Sequence, residues 1–420
     1  MDKLEALLIG GYWPELMAVT LGLLIRAGFT VDVICNNTAF RRSSAIRDYV
    51  LVKKRDLLAR TAAEKIRKDY SLVVIGDDAT LGVILNSDLT HEQKLRLLPI
   101  LSDKNFGHIF SKIGLSLALE ENGISTPEYR IARNEGELAA GAETLGYPIL
   151  VKLDSSAGGV GIFECLDKAD VEDLRKTLKL YPVLVQRKVK GVEVSLEAFY
   201  RHGELVHFAY SIPEKSKYRF GPTSVRSYQQ IASLEPQVSD ELRRVGKALG
   251  SHGFTSVGCI HAEHDKKRYY FEADMRPNLW IDQPRYLGED WAKIIQRHFA
   301  EGAAGRHAGS FDISYPNRVL IPHYLRLTWA ELIFNRYGVW KYLPENFLYV
   351  LIHYRILTWA RWAVRKVYGF FLPKKVRVFF KRVRLQISVR SSPRTREGQA
   401  HQPAESHGPR PSMARLEDRR

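Results

Sequence analysis

The sequence predicts an α/β domain with a parallel sheet at its N-terminus, an α+β body after it, and a C-terminal helical extension rich in basic and aromatic side chains. Three observations carry that prediction. Short apolar runs alternate with helically spaced apolar residues over residues 1–100. From residue 101 onward strands follow one another closely, separated by Gly- and Pro-marked turns. Residues 311–390 then mix Trp, Tyr and Phe with Lys and Arg, and 391–420 are Ser, Pro, Arg, Glu, Gln and His, the composition of a disordered tail.

In the first domain Leu4–Gly10 reads as a buried strand, Glu15–Gly28 as a helix on Leu16, Val19, Leu23 and Leu24, and Thr30–Cys35 and Leu72–Ile75 as further strands. Ligands of parallel α/β sheets collect at the carboxyl ends of strands, which marks Gly10–Gly11 and Gly76–Asp78 as candidate binding edges. In the body, Asp103-Lys104 opens a helix expected to close near Asn122-Gly123. Strands are expected at Ile149–Leu153, Ile162–Cys165, Val183–Val185, Glu193–Tyr200, Glu204–Ser211, Ser256–Glu263 and Arg268–Asp274, with a helix at Ala169–Lys179.

Apolar residues make up 45% of the 420, enough for a sizeable core in more than one domain. Cys35, Cys165 and Cys259 are scattered and odd in number, which fits neither a disulfide framework nor a zinc spacing and points to a reducing, cytoplasmic compartment. No signal peptide is expected at the start, and no run reaches the roughly 18 apolar residues of a spanning helix. The net charge of +16 is uneven: residues 340–390 hold 12 Lys and Arg against one acidic residue, Glu345, a net of +11.

Three stretches carry chemistry. In ILVKLDSSAGGVGIF, Lys152 ends a strand and is followed by Ser155, Ser156, Gly158, Gly159 and Gly161, a loop whose bare backbone suits a polyphosphate; a mobile surface hairpin is the plain alternative. In VLVQRKVKGVE, an extended hinge could offer backbone amides to a purine edge and Glu193 could accept ribose hydroxyls, although a solvated strand glutamate is the ordinary reading. In YYFEADMRPN, Glu272 and Asp274 share one face of a strand, an arrangement that repels unless a cation lies between them. Arg276 follows, placed to meet a carboxylate or a transferring phosphate.

In order and spacing these stretches resemble the ATP-grasp superfamily of carboxylate–amine ligases, which includes D-alanine–D-alanine ligase, biotin carboxylase and the carbamoyl phosphate synthetase large-chain domains. The resemblance covers residues 1–300 and is most specific from Asp103 to Arg276. It implies an N-terminal pre-ATP-grasp domain (1–100) and a two-lobed ATP-grasp domain (101–310) with a flap lobe at about 127–185. It also implies roles for individual residues. Lys104 and Lys152 would bind ATP phosphates. Ser155, Ser156, Gly158, Gly159 and Gly161 would form the flap. Gln186, Arg187, Lys188 and Val189 would line the adenine hinge, with Glu193 on the ribose. Glu272 and Asp274 would bind Mg2+. Family members carry a further metal ligand three residues after a strand glycine. Counting from Gly258 that position is His261, a poor magnesium ligand, so Glu263 in a shifted register is favoured. Asp274 stands where the family has Asn, which would strengthen metal binding or favour Mn2+, and Met275 where it has Pro.

The activity so implied is ATP-dependent phosphorylation of a small carboxylate substrate to an acyl phosphate, which an amine or another nucleophile then attacks, with Lys152 and Arg276 as catalytic side chains. Arg226 reads as an exposed loop arginine or, alternatively, as a substrate contact. The competing function is a non-catalytic nucleotide-binding or regulatory protein of the same fold. The aromatic, basic residues 340–390 have the composition of an interfacial helix on an anionic membrane surface, which would place the protein at the inner face of the membrane; packing on the body is the alternative. Nucleic acid is the lesser one, since no zinc-finger or RNA-recognition signature is present.

Overall fold

A computed structural model describes residues 4–40, 45–66, 70–216, 218–301, 315–323 and 326–342. All of them fall in the first of two compact units, Met1–Ala363. The basic aromatic segment from 343 onward and the tail 391–420 lie outside the described residues.

The N-terminal domain runs β1 (Glu5–Gly10), α1 (Pro14–Arg26), β2 (Thr30–Cys35), β3 (Ile46–Leu51), α2 (Arg55–Lys65), β4 (Leu72–Ile75), α3 (Asp78–Leu85) and α4 (His91–Leu97). Its four strands are parallel in the order β3-β2-β1-β4. β1 is central, and Leu7, Leu8 and Ile9 are wholly buried, as a parallel strand covered on both faces requires. Burial of each contributes about 1.5–3 kcal/mol. Asp77, just past β4, caps α3 by accepting from Thr80 N and also accepts from the N–H groups of Gly11 and Tyr12. The two strand ends singled out in the sequence are therefore one joined edge.

The body begins with a 3-10 turn, Asp103–His108, and then α5 (Lys112–Glu121). The single helix expected from Asp103 is broken. Phe110 takes a left-handed φ of 56°, and Ser111 caps a fresh helix by accepting from Gly114 N. Gly114 is required there because a Cβ would stand 1.8 Å from the Gly107 carbonyl oxygen.

A flap lobe follows: β5 (Tyr129–Ala132), α6 (Glu135–Leu145), β6 (Ile149–Leu153), β7 (Ile162–Cys165), α7 (Lys168–Thr177) and β8 (Val183–Arg187), with antiparallel strands in the order β5-β8-β6-β7. The larger lobe holds β9 (Gly191–Arg201), β10 (Glu204–Ser216), β11 (Thr223–Gln229), α8 (Pro236–Ala248), β12 (Gly253–Ala262), β13 (Arg268–Asp274), α9 (Trp291–Glu301), β14 (Arg318–Pro322) and α10 (Trp329–Ile333). Its six-stranded sheet is ordered β13-β12-β9-β10-β11-β14.

β14 corrects the expected boundary at 310/311. The start of the supposed helical extension is an edge strand of the body, paired antiparallel with β11 from Val225↔Pro322 to Gln229↔Arg318. No helix among the described residues is long and apolar enough to cross a membrane.

Candidate active site

The site lies between the lobes and is built on β6, β8, β9, β11 and β13. On β6, Ile149 and Val151 enter the flap-lobe core, so the alternation of a strand turns Lys152 to the opposite face. Lys152 is only 3% exposed. Its ammonium donates to Gln186 Oε1 at 2.6 Å and lies 4.9 Å from the ring centre of Phe271, across the cleft on β13. Burial pushes its pKa down to about 8, with the Lys112 charge adding to the effect and Glu272 and Glu193 opposing it. This buried cation has no carboxylate within ion-pair distance among the described residues, as expected of a group that awaits an anion.

Lys112, the first residue of α5, is a second cation with no carboxylate within ion-pair distance among the described residues, here half-buried. Its Nζ donates to the Ser156 carbonyl and hydroxyl oxygens at 2.5 and 3.0 Å, and burial lowers its pKa against the pull of Glu272, Asp274, Asp154 and Asp78. Lys104, the expected phosphate ligand, is instead exposed on the 3-10 turn. The break at Phe110 separates it from α5, and the lysine that reaches the glycine-rich loop is the one heading the helix that closes at Gly123. Counting back one helix length from Gly123 finds it.

The loop Ser155–Gly161 leaves Ser155 exposed and puts Gly158, Gly159 and Gly161 in left-handed conformations. It packs on the β10–β11 loop. Tyr218 donates its hydroxyl to the Gly158 carbonyl at 3.0 Å, and a Cβ on Gly159 would fall 1.5 Å from the Phe220 carbonyl oxygen, so only glycine fits.

At the hinge, the Arg187 and Lys188 amides donate to the carbonyls of Glu128 and Pro148. The Lys188 ammonium pairs with Glu164 at 2.8 Å. Both backbone donors are thus committed, while the Val189 N–H finds no acceptor among the described residues. Gln186 Nε2 is also buried and unpartnered there. The hinge therefore presents free polar groups suited to a purine edge. Glu193, two residues into β9, opens on the cleft; the surrounding walls and then Glu272 raise its pKa, countered by Arg226 and Lys152.

On β13 the expected pair stands together. Asp274 is pushed up to about 7, first by burial, then by the charges of Asp78 and Glu272 acting against Arg276. Glu263 is elsewhere. A bulge between Gly258 and Cys259 sets Gly258 opposite Glu272, while His261 pairs with Arg268, four residues and roughly 13 Å along the strand. Glu263 lies beyond that at the hairpin end and pairs with Lys190 at 2.9 Å, and His261 Nε2 meets the Lys266 carbonyl at 3.0 Å. Neither reaches the pair, and among the described residues no group of three His, Cys, Asp or Glu converges to hold a metal.

Arg276 is heavily engaged. Nε and Nη2 grip both oxygens of Asp78 at 2.6 Å each, Nη2 also reaches Asp274 at 2.9 Å, and Nη1 donates to the Pro277 carbonyl. Its guanidinium stacks 5.3 Å from the Trp13 ring centre. Asp78 and Trp13 belong to the N-terminal domain, so this arginine fastens that domain to the metal-strand end. Arg226 is not an exposed loop residue: it lies on β11, buried, paired with the wholly buried Glu197 and stacked over Trp280. Asn278 completes this group, donating to Glu197 Oε1 at 2.8 Å and Ser256 Oγ at 3.0 Å.

Comparison with known proteins supports the same reading. No family model matches the chain. Biotin carboxylase 2 of Bacillus subtilis (strain 168) is 26% identical over 195 residues, 41% of this chain and 41% of that protein. The D-alanine–D-alanine ligase of Pseudomonas fluorescens (strain Pf0-1) is 25% identical over 237 residues, 53% of this chain and 70% of the ligase. The chain thus spans under half of the first relative and about two thirds of the second. The structure of the biotin carboxylase domain of Hydrogenobacter thermophilus 2-oxoglutarate carboxylase, with MgADP, ADP and bicarbonate, superposes with a TM-score of 0.54 over 73% of this chain and 72% of that one, at 14% identity. The sheet architecture, the order of lysine loop, hinge and carboxylate strand, and these likenesses together show an ATP-grasp fold, and the chain is similar in sequence to ATP-grasp ligases.

Proposed function

We propose that the protein is an ATP-dependent ligase that activates a carboxylate. The observation that carries this reading is the meeting, in one cleft between two antiparallel sheets, of a buried and a half-buried lysine, a hinge with free polar groups and a carboxylate pair. In the reaction a substrate carboxylate oxygen attacks the γ-phosphorus, the bond to the β-phosphate oxygen breaks and ADP departs. An amine or other nucleophile then attacks the acyl carbon, phosphate leaves and the amine gives up a proton. Little covalent help is needed, so the protein's work is positioning and charge neutralisation.

Lys152 and Lys112 hold the phosphates, with Ser155, Ser156, Gly158, Gly159 and Gly161 closing above them. Gln186, Arg187, Lys188 and Val189 border the adenine, with Val189 N–H and Gln186 Nε2 as the available donors, and Glu193 takes the ribose. Glu272 and Asp274 fit Mg2+: two crowded carboxylates, one with a raised pKa, are relieved by a cation, and magnesium completes its shell with phosphate oxygens and water. When bound, the ion neutralises phosphate charge during transfer. Arg276, expected to face the moving phosphoryl group, acts here as a positioning residue, since its donors hold Asp78 and Asp274. The flap excludes water from the acyl phosphate.

The test is ADP release in the presence of Mg2+ with a panel of carboxylic acids, each with and without amines. Acid-dependent turnover is expected; tight MgATP binding with no turnover on any acid would favour the non-catalytic alternative.

A second reading concerns location. Ile333, Phe334 and Trp340 are 62, 80 and 54% exposed, beside Arg336 and Lys341, immediately before the basic aromatic segment. Apolar side chains standing in solvent among cations favour contact with an anionic membrane surface. Full-length protein should co-sediment with vesicles containing phosphatidylserine, less so at high salt, and Phe334→Ser/Trp340→Ser should weaken the salt-resistant part. Equal sedimentation with neutral vesicles would overturn this.

A further inference from the structure

β9 carries Glu193 to the cleft and then runs away from it. Phe199 is wholly buried in the core shared with β1, α1 and β2, and Arg201 closes the strand roughly 27 Å from Glu193. An apolar wall therefore stands between Arg201 and the nucleotide site. Arg201 Nη1 donates to the Ser71 carbonyl, just before β4, at 3.0 Å, and the guanidinium lies 4.5 Å from the ring centre of Phe299 on α9. It thus touches the N-terminal domain and the larger lobe together.

His202 and Gly203 turn the chain into β10 with left-handed backbone, at φ 51° and 80°. Such turns favour glycine and asparagine, so a histidine here is an exception. It brings the His202 ring 4.7 Å from that of His252, just before β12, and His298 on α9 stands within range of the charges of Arg201 and His202. Arg201 and the three histidines have no carboxylate within ion-pair distance among the described residues. Glu204, next after the turn, is held instead by Lys247 at 3.3 Å. Burial lowers the pKa of Arg201, and burial with the charges of Arg201 and His202 lowers that of His298. The buried Arg226 and Arg276, by contrast, each carry a carboxylate partner.

His252 cannot satisfy its neighbours. The His202 backbone N–H points at Nδ1 at 3.2 Å, and Arg201 Nη1 stands 3.4 Å from Nε2. Both neighbours are donors, whereas a neutral imidazole offers one lone pair and a protonated one offers none. Burial and then the charges of Arg201 and His202 push the His252 pKa down to about 4, so the ring is neutral at ordinary pH. With Nδ1 accepting from His202, Nε2 carries the proton and meets Arg201 donor to donor. An oxygen with several lone pairs resolves this by accepting from both. A metal does not: among the described residues no group of three His, Cys, Asp or Glu converges to hold one, and the guanidinium would repel it. A guanidinium fork among imidazoles is suited to an oxyanion.

We propose that Arg201, His202 and His252, with His298 beside them, bind a phosphate group at the junction of the N-terminal domain and the larger lobe, apart from the nucleotide cleft. One phosphate oxygen accepts from Arg201 Nη1 and His252 Nε2–H, and the others meet His202 and His298 as these take up protons. A bound anion raises the histidine pKa values, so binding is linked to proton uptake and tightens as pH falls. The site goes beyond the ligase reading and does not depend on it.

The experiment titrates the full chain calorimetrically with sulfate, inorganic phosphate and glycerol 3-phosphate. Sulfate keeps its charge between about pH 5 and 8, so its affinity reports the protein alone and should rise as pH falls across that range. The same titrations on Lys152→Met, which lacks the phosphate cation of the cleft, should give sulfate affinity within about twofold of the unaltered protein, because the two sites are separate. Arg201→Gln keeps a donor for the Ser71 carbonyl and should weaken sulfate about tenfold or more. His202→Asn suits the left-handed turn, so it should hold the melting temperature while weakening sulfate and flattening the pH dependence; it decides alone where Arg201→Gln melts early. Tighter binding of glycerol 3-phosphate than of phosphate assigns the site to a phosphorylated small molecule, and the reverse order to free phosphate. No binding of any of the three anions, loss of sulfate binding in Lys152→Met, or unchanged sulfate affinity in a folded Arg201→Gln or His202→Asn overturns the proposal. Failure of the protein to bind MgATP would count against the ligase reading, a separate result.

Discussion

Replacement of Lys152 by Met separates a ligand-binding cation from a structural one, because the two make opposite predictions for stability. Holding the ammonium at a pKa of about 8 instead of its ordinary 10.5 costs the unliganded fold about 3 kcal/mol at neutral pH. The sign follows from the direction: a lysine whose folded pKa is depressed is penalised in full below that value, and the penalty fades as pH rises toward 10.5. Lys152→Met removes that cost but strands Gln186 Oε1, a buried acceptor worth about 1–3 kcal/mol. The unliganded variant should thus hold its stability within about 2 kcal/mol, whereas removing half of a buried ion pair costs about 3–5 kcal/mol. Affinity for a non-hydrolysable ATP analogue, measured calorimetrically with Mg2+, should fall roughly 10- to 150-fold, the equivalent of a charge-assisted contact of about 1.5–3 kcal/mol. In the unaltered protein that affinity should decline as pH rises above about 8, where the free lysine loses its proton, and the decline should be absent from Lys152→Met. Unchanged analogue affinity, or the same pH dependence in both proteins, refutes the assignment.

Two further outcomes follow from the same cleft. Glu272→Gln/Asp274→Asn should abolish turnover at every Mg2+ concentration without lowering the melting temperature, since Arg276 keeps its bidentate grip on Asp78; full activity across the titration would move the metal elsewhere. Lys112→Ala should weaken analogue binding about tenfold or more, whereas Lys104→Ala, at an exposed position, should leave it unchanged, and the reverse result would restore Lys104 to the phosphates.

What could be read from the sequence was the part written in apolar alternation or in compact local patterns. The strand Ile149–Leu153 and its lysine were legible because Ile149 and Val151 must go inward and Lys152 therefore outward. The strand Arg268–Asp274 was legible from its aromatic run. β3 (IRDYVL) and β11 (TSVRSYQ) were not, because polar side chains interrupt the apolar signal; Arg226 then passed for a loop residue although the sheet buries it. That Lys112 and not Lys104 reaches the glycine-rich loop turned on a helix break at Phe110 that a helical pattern does not announce. The grip of Arg276 on Asp78 spans 198 residues of sequence and exists only through the docking of two domains. Glu263 stands five residues beyond Gly258, past the end of β12, so its distance along the strand keeps it from Glu272, and the choice between His261 and Glu263 could not show that.

The charges of the cleft bear on the role of its arginines. Lys112, Lys152 and Arg276 face Glu193, Glu272, Asp78 and Asp274, so the cleft is close to electrical balance, with burial raising the pKa of Glu193 and Asp274 and lowering that of both lysines. A nucleoside triphosphate brings more negative charge than one divalent cation cancels, and a substrate carboxylate adds more. The motif residues cannot absorb this surplus, because Arg276 is already committed to Asp78 and Asp274. On the larger lobe Arg326 is held against β11 by the Thr223 carbonyl and has no carboxylate within ion-pair distance among the described residues, although the charge of Glu15 acts on it.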